Sequence, residues 1–213
     1  MLTLLFQEPL LFLVWILAIL IALSTHEFSH ALAGTLLGDE TAKRMGRLTL
    51  NPLAHVDPIG LIALVTVGFG WGKPVPFNPY NLKNQKWGPV LVALAGPGMN
   101  LSIAIVLGLL LRVIGPLLGP TNLLSQFLYL SVFLNVALLF FNLIPVPPLD
   151  GSKLLLAMVS GKQHERVRIF LETRGPMILL GLIVADLILG INVFGWLFNI
   201  VSSVATWIVG FGI

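Results

Sequence analysis

Three long apolar stretches constrain the fold of this chain more than any other feature of its sequence. They cover residues 10–37, 89–114 and 123–144. As helices that rise about 1.5 Å per residue, all three are long enough to cross a hydrocarbon core of roughly 30 Å. A segment inside lipid must satisfy its own backbone hydrogen bonds, which favours helices for stretches of this length. The sequence therefore predicts an all-α polytopic membrane protein.

The low charge content leaves little room for a soluble domain. Of the 213 residues, 57% are hydrophobic and only 10% are charged, whereas soluble domains carry about 25% charged residues. We therefore expect a single transmembrane domain over residues 1–213, with a core at about 9–153 and C-terminal helices over 154–213. The chain has no cysteine, which excludes disulfides, thiolate chemistry and thiolate metal ligands.

The remaining apolar segments are harder to assign to crossing helices. Residues 58–70 are too few for a straight crossing and include three glycines, so a short re-entrant or rim β-like segment fits better. Residues 176–213 form either one kinked span or a tight pair around Gly190-Ile191-Asn192. We predict a bundle of about five to six transmembrane helices.

The distribution of basic residues indicates the orientation of the bundle. Twelve Lys and Arg against nine Asp and Glu give a net charge of +3. If the C-terminal end of the first span faces the cytoplasm, eleven basic residues, Lys162 among them, lie on that side. Only Arg112 then lies opposite, where we expect it to snorkel to the interface. Basic residues are not interleaved with aromatic ones, so no nucleic-acid partner is expected.

The first apolar stretch contains the pattern His26-Glu27-Phe28-Ser29-His30. Residues four apart share one face of a helix, so both imidazoles can reach one metal ion. Zinc lowers the pKa of a bound water, and Glu27, beside the first histidine, can take the proton of that water. The alternative is a polar contact between helices, but ionisable groups on one turn of a membrane helix are costly unless they are used.

A catalytic zinc site needs a third protein ligand. The side chains that could supply it are His55, Asp57, Asp150, His164 and Asp186. Asp150 is favoured because it follows the third span on the same half of the membrane as the histidines. The alternative for Asp150 is an N-cap of the helix that begins at Ser152. We expect His164 to be solvated, His55 and Asp57 to belong to a capped turn, and Asp186 to lie in the other half of the membrane.

Two motifs together resemble the paired signature of site-2 proteases. One is the segment from His26 to His30, and the other is Asn142-Leu143-Ile144-Pro145-Val146-Pro147-Pro148-Leu149-Asp150-Gly151. The segments Ala95-Gly96-Pro97-Gly98-Met99-Asn100 and Gly72-Lys73-Pro74-Val75-Pro76-Phe77-Asn78-Pro79 are similar to two further motifs of that family. The resemblance implies that His26, His30 and Asp150 hold one zinc ion, that Glu27 is the general base, and that Asn142 contacts the substrate or the oxyanion.

The resemblance also implies a function. It indicates a minimal intramembrane zinc metalloprotease without a PDZ or CBS domain, in the cell membrane of a prokaryote, with its active site toward the cytoplasmic side. The expected partners are the lipid bilayer and a transmembrane protein or peptide substrate. Two alternatives are a membrane metal-ion carrier and a non-catalytic metal-binding membrane scaffold. The sequence shows no matching site in a second half, as an inverted-repeat carrier would have, and no fourth ligand, as a structural zinc site would have.

Overall fold

A computed structural model of the protein describes residues 2–68, 70–159, 164–190 and 192–210. This part of the chain is helical, and its helices in chain order are α1 (Leu2–Gln7), α2 (Pro9–Leu36), α3 (Thr41–Arg44), α4 (Pro58–Val67), α5 (Gly88–Leu118), α6 (Leu123–Asn142), α7 (Gly151–Met158), α8 (Glu165–Leu189) and α9 (Val193–Val209). The predicted all-α class is confirmed. The β-like rim segment is reduced to a single antiparallel bridge between Val56 and Gly72 within the described residues.

Helices α2, α5 and α6 are long and apolar enough to cross a membrane. Helix α9, with 17 residues, is a shorter apolar helix that packs against both α5 and α6. The described residues thus supply three long apolar spans, the shorter apolar helix α9 and the 25-residue helix α8. Helix α4 has 10 residues, which agrees with the prediction of a segment too short to cross.

The apolar core of the bundle lies where α5, α6 and α9 meet. It contains Ala104 and Leu111 of α5, Val132 of α6, and Ala205 of α9, all of them buried. Helices α5 and α9 approach closely at Gly108 of α5, where an added Cβ would lie 2.3 Å from Cγ2 of Ile208 in α9. Small residues allow such approach between membrane helices, which associate through packing.

Arg112 links α5 to the C-terminal end of α9. Its Nε donates a hydrogen bond of 2.6 Å to the carbonyl of Ile208, and its Nη2 donates to the carbonyl of Trp207. The last carbonyls of a helix have no partner within that helix. Arg112 therefore binds the C-terminal end of α9.

Two contacts fix the direction of α9. The rings of Phe141, near the end of α6, and Phe194, at the start of α9, have centroids 6.3 Å apart, while Arg112 holds the other end of α9. Helix α9 is therefore antiparallel to α6. We call the end of the bundle at which α2 and α6 finish the histidine end.

Helix α8 lies across the histidine end. A Cβ at Gly175 would lie 2.8 Å from Cβ of Pro147, and Asp186 Oδ2 accepts the N–H of Phe194 at 3.4 Å. The described residues after 176 thus belong to two helices, α8 and α9, of which α9 packs into the bundle. Ile191 of the predicted turn and Lys162 lie outside the described residues. Asp186 lies at the histidine end, and the expectation that it occupies the other half is wrong.

Candidate metal centre

The two histidines of α2 and the carboxylate that precedes α7 converge on one point. Nε2 of His26 and Nε2 of His30 lie 3.0 Å apart, and Asp150 Oδ2 lies 3.2 Å from the first and 3.3 Å from the second. Both histidines are buried, with 4% and 8% of their surface exposed. Within the described ranges these three residues form the one cluster of three groups with metal-binding geometry.

The dimensions of this cluster fit a tetrahedral metal ion. Ligand atoms bound about 2.0–2.1 Å from a tetrahedral zinc ion lie about 3.3 Å from one another. The three observed separations are 3.0, 3.2 and 3.3 Å. Oδ2 of Asp150 is also buried without a hydrogen-bond partner among the described residues. A buried carboxylate oxygen of this kind is costly unless it is paired with a cation or a proton.

The other ring nitrogen of each histidine, Nδ1, lies within hydrogen-bond distance of an oxygen acceptor. Nδ1 of His26 lies 2.6 Å from Oδ1 of Asn100, and Nδ1 of His30 lies 2.8 Å from the carbonyl of Val92. The two acceptors favour a proton on Nδ1 of each ring, which makes each Nε2 available to a metal ion beside Asp150. Such outer partners fix the tautomer and the ring orientation of metal-binding histidines.

The contact to His26 extends into α6 through a second asparagine. Asn100 Nδ2 donates to Asn135 Oδ1 at 2.8 Å, and Asn135 Nδ2 donates to the carbonyl of Ser131 at 2.8 Å. Both asparagines are buried, with 0% and 1% of their surface exposed. From the sequence alone these side chains are only candidates for bonds between helices. The signal that could have identified Asn100 is its place in the motif that begins at Ala95.

Gly96 makes room for the two imidazoles. A Cβ at this position would lie 2.5 Å from Cε1 of His26 and 2.5 Å from Nε2 of His30. Side chains in native structures do not approach so closely, so even a methyl group would displace a ring. Helix α5 thus contributes the surface against which both rings pack.

Asp150 is positioned by the close return of the chain after α6. A Cβ at Gly151 would lie 2.3 Å from the carbonyl oxygen of Leu143, so the glycine allows α7 to begin directly against the end of α6. Asp150 occupies the N-cap position of α7, but its side chain makes no capping hydrogen bond. The N-cap alternative is therefore not adopted, and the carboxylate faces the histidines instead.

Glu27 and Asn142 lie on the two helices that border this cluster. Glu27 is 9% exposed, and its Oε2 accepts the N–H of Val75 at 3.0 Å. Asn142 is the last residue of α6, and its Nδ2 donates to the carbonyl of Leu138 at 3.0 Å. That amide nitrogen carries a second hydrogen, which leaves one donor for another partner.

The other candidates for a third ligand lie outside the cluster. His55 is buried, with Nε2 bonded to the carbonyl of Thr49 at 2.8 Å. Asp57 caps α4 by accepting the N–H groups of the second and third residues of that helix at 2.9 Å. His164 is exposed at the start of α8, and Asp186 receives the N–H of the first turn of α9. The expectations of a solvated His164 and a capping Asp57 agree with this arrangement.

Residues 72–79, here called the rim segment, run beside Glu27 and are tied to the end of α2. Asp39 Oδ2 accepts the N–H of Asn78 at 2.6 Å, and its Oδ1 accepts from Asn81 Nδ2 at 3.0 Å and from Thr41 Oγ1 at 2.5 Å. Burial raises the pKa of Asp39, but these hydrogen bonds to the charged form outweigh burial and hold the pKa below its usual value. Asp39 is therefore a charged anchor of the rim segment.

Comparisons with known proteins agree with this arrangement. The sequence profile of Peptidase family M50 matches residues 120–185, which include Asn142 and Asp150. "Putative zinc metalloprotease YwhC" of Bacillus subtilis (strain 168) is 39% identical over 150 residues, which cover 68% of each chain. No solved structure matches the chain significantly.

Two mycobacterial relatives are longer than this chain. "Putative zinc metalloprotease Rip2" of Mycolicibacterium smegmatis is 37% identical over 141 residues, and the protein of that name in Mycobacterium tuberculosis is 34% identical over 139 residues. Each match covers 62% of this chain and 52% of the relative, so the chain matches about half the length of these proteins. The extent of the Bacillus subtilis match and the family profile together establish that the chain belongs to peptidase family M50, the site-2 protease family.

Proposed function

We propose that this protein is a zinc metalloprotease that hydrolyses peptide bonds of membrane-spanning substrates within or near the bilayer. The observation that carries the proposal is the convergence of His26 Nε2, His30 Nε2 and Asp150 Oδ2 within 3.3 Å of one another. These three atoms would hold one zinc ion and leave its fourth position open, as a catalytic zinc site requires.

The protein residues act around that ion. Zinc bound there would polarise the scissile carbonyl and lower the pKa of a water molecule toward neutral. Glu27 takes the proton of that water as general base and returns it to the leaving amine as general acid. The free hydrogen of Asn142 Nδ2 donates to the substrate backbone or to the oxyanion, which adds electrostatic stabilisation in the transition state.

The location of the cluster points to the class of substrate. The histidines lie on α2, a helix long and apolar enough to cross a membrane, so the substrate reaches the site from within or beside the bilayer. A peptide bond in a membrane helix is hydrogen-bonded within that helix, and the substrate must unwind before it is cut. The excess of basic residues after α2 and α6 supports a site toward the cytoplasmic side of the cell membrane.

The first test separates catalysis from metal binding. Glu27→Gln keeps the shape of the side chain and an oxygen for the Val75 N–H but removes the base. We expect unchanged zinc content and a loss of about 100- to 10,000-fold in cleavage of a single-span model peptide with a Gly-Pro break in its cytoplasmic half. If Glu27→Gln cleaves the peptide as fast as the wild type does, the mechanism is wrong. Zinc uptake into proteoliposomes that depends on His26, without peptide cleavage, identifies a carrier instead.

The second test concerns the third ligand. Asp150→Ala removes one of three proposed ligands, so we expect purified protein to lose most of its zinc. His164→Ala is the matched control, because that imidazole is exposed and lies outside the cluster. Full zinc content in Asp150→Ala removes Asp150 from the site. If the wild type does not cleave the peptide, and both the wild type and Glu27→Gln bind zinc, the protein is a metal-binding scaffold.

A further inference from the structure

The rim segment presents one backbone N–H to Glu27. Val75 lies between Pro74 and Pro76, and proline has no N–H. The only amide hydrogen of this tripeptide is therefore that of Val75, and it is donated to Glu27 Oε2 at 3.0 Å. The described residues provide no other hydrogen bond to this carboxylate.

Val75 is held in place from both sides independently of Glu27. On one side, the N–H of Lys73 donates to the carbonyl of His55 at 2.7 Å, and Arg47 donates to the carbonyl of Lys73. On the other side, the N–H of Asn78 donates to Asp39 Oδ2 at 2.6 Å. A residue that precedes proline is restricted to extended conformations, and both Lys73 and Val75 precede one. The direction of the Val75 N–H is thus set by the chain around it.

We infer that the backbone N–H of Val75 is a positioning group for Glu27, and this inference rests on the proposed role of Glu27 as general base. A carboxylate has two oxygens, and the Val75 N–H engages one of them. The other oxygen remains for the proton of the attacking water. Glutamate has several rotatable bonds, and a base acts efficiently only within hydrogen-bond reach of its proton. The rim segment therefore fixes the base before the substrate arrives.

The opposite role for the same contact is a lid that withholds Glu27 from the reaction. A lid predicts faster cleavage when the hydrogen bond is removed, whereas a positioning group predicts slower cleavage. The contact occupies one carboxylate oxygen of the two, and the segment that makes it is tied at Lys73 and Asn78. These features favour a fixed support over a part that must leave.

The first experiment removes the N–H without changing a side chain. Val75 is replaced by its α-hydroxy acid, so that a backbone ester oxygen stands where the N–H was, and Val75→Pro is a second way to remove the same hydrogen. We expect kcat for the single-span model peptide to fall about 10- to 100-fold, the effect of a hydrogen bond to a charged group. KM should stay within about threefold, since the contact is to the base, and zinc content should stay that of the wild type.

The matched control is a backbone ester at Phe77, the next residue of the rim segment that has an N–H. It introduces the same chemical change two residues away from the contact with Glu27. The inference is overturned if the Val75 ester and the Phe77 ester have the same kcat, and also if the Val75 ester is faster than the wild type. Loss of zinc from the Val75 ester also overturns it, because the N–H would then support the fold of the metal centre.

The second experiment needs no substrate. In protein labelled with ¹⁵N-valine, the amide of Val75 is identified as the signal absent from Val75→Ala, and its exchange with D₂O is followed. We expect slow exchange in the wild type and exchange at least about tenfold faster in Glu27→Ala, where the acceptor is missing. Equal exchange rates show that the contact is absent in solution. If the wild type does not cleave the model peptide but Val75 exchange depends on Glu27, the proposed function fails and the contact stands.

Discussion

The histidine end of the bundle and its opposite end are stabilised in different ways. At the opposite end, α5, α6 and α9 enclose a core of aliphatic side chains, and Arg112 binds the last carbonyls of α9. At the histidine end, the buried side chains include polar and charged ones, and Glu27, Asp39 and Asn100 all have specific partners. Apolar packing tolerates adjustment, whereas a buried polar group without its partner is costly. Substitutions at the two ends should therefore fail in different ways.

The largest effect should come from Gly96→Ala. The new methyl group would lie 2.5 Å from both imidazole rings, so at least one histidine must leave its position. We expect zinc affinity to fall by at least about 100-fold, the upper range for disturbed outer partners, while the helical content stays unchanged. Zinc titration and circular dichroism in detergent measure the two quantities.

Gly98→Ala is the matched control for this prediction. It adds the same methyl group to the same helix two residues away, where no atom lies within 4 Å of the new Cβ. Equal zinc affinity in the two variants would mean that α5 does not pack on the imidazoles as described.

The next effect concerns the partner of His26. Asn100→Leu removes the acceptor for His26 Nδ1 and leaves Asn135 Oδ1 without its donor. We expect zinc affinity to fall about 10- to 100-fold. Asn100→Asp keeps an acceptor for His26 but not the donor to Asn135, so it should recover part of that loss. If Asn100→Asp binds zinc as weakly as Asn100→Leu does, the effect comes from the lost bond with Asn135.

The opposite end should respond through stability instead of metal binding. In Gly108→Ala the added Cβ would lie 2.3 Å from Cγ2 of Ile208, so the Ile208 side chain must shift or α5 and α9 must separate. Overpacking of this kind costs about 1–3 kcal/mol in the free energy of unfolding. Thermal unfolding of the purified protein should show the loss, with zinc affinity unchanged.

Gly181→Ala serves as the reference for Gly108→Ala. It adds a methyl group in α8, where no atom lies within 4 Å, and a glycine replaced in a helix interior favours the helix. If Gly108→Ala weakened zinc binding as strongly as Gly96→Ala, the two ends could not be treated as separate.

The sequence predicts those parts of the molecule that depend on local spacing. His26 and His30 share a helix face because they are four residues apart, and α4 cannot cross a membrane because it is short. Asp150 could be favoured as the third ligand because it follows α6, which ends at the histidine end. Contacts between distant segments could not be predicted, such as Asn100 with His26 and Val75 with Glu27, which are 74 and 48 residues apart. Hydropathy alone places Asp186 in the wrong half, because it does not reveal that α8 lies across the histidine end.

The smallest effect should come from acid, through Asp39 and the rim segment. The pKa of Asp39 is below its usual value in the folded protein because hydrogen bonds from Thr41, Asn81 and Asn78 outweigh the effect of burial. A group whose pKa is lowered on folding stabilises the protein fully above its unfolded pKa of about 3.9, and that stabilisation is lost as the pH falls through the lower folded value. Asp39→Asn removes the titration, so its unfolding free energy should change less than that of the wild type between pH 5 and the acid limit. Because Asp39 also anchors the segment that carries Val75, acid should speed amide exchange at Val75 in the wild type, relative to the intrinsic rate at each pH. If exchange at Val75 does not change with acid, the anchor at Asp39 does not determine the position of Glu27.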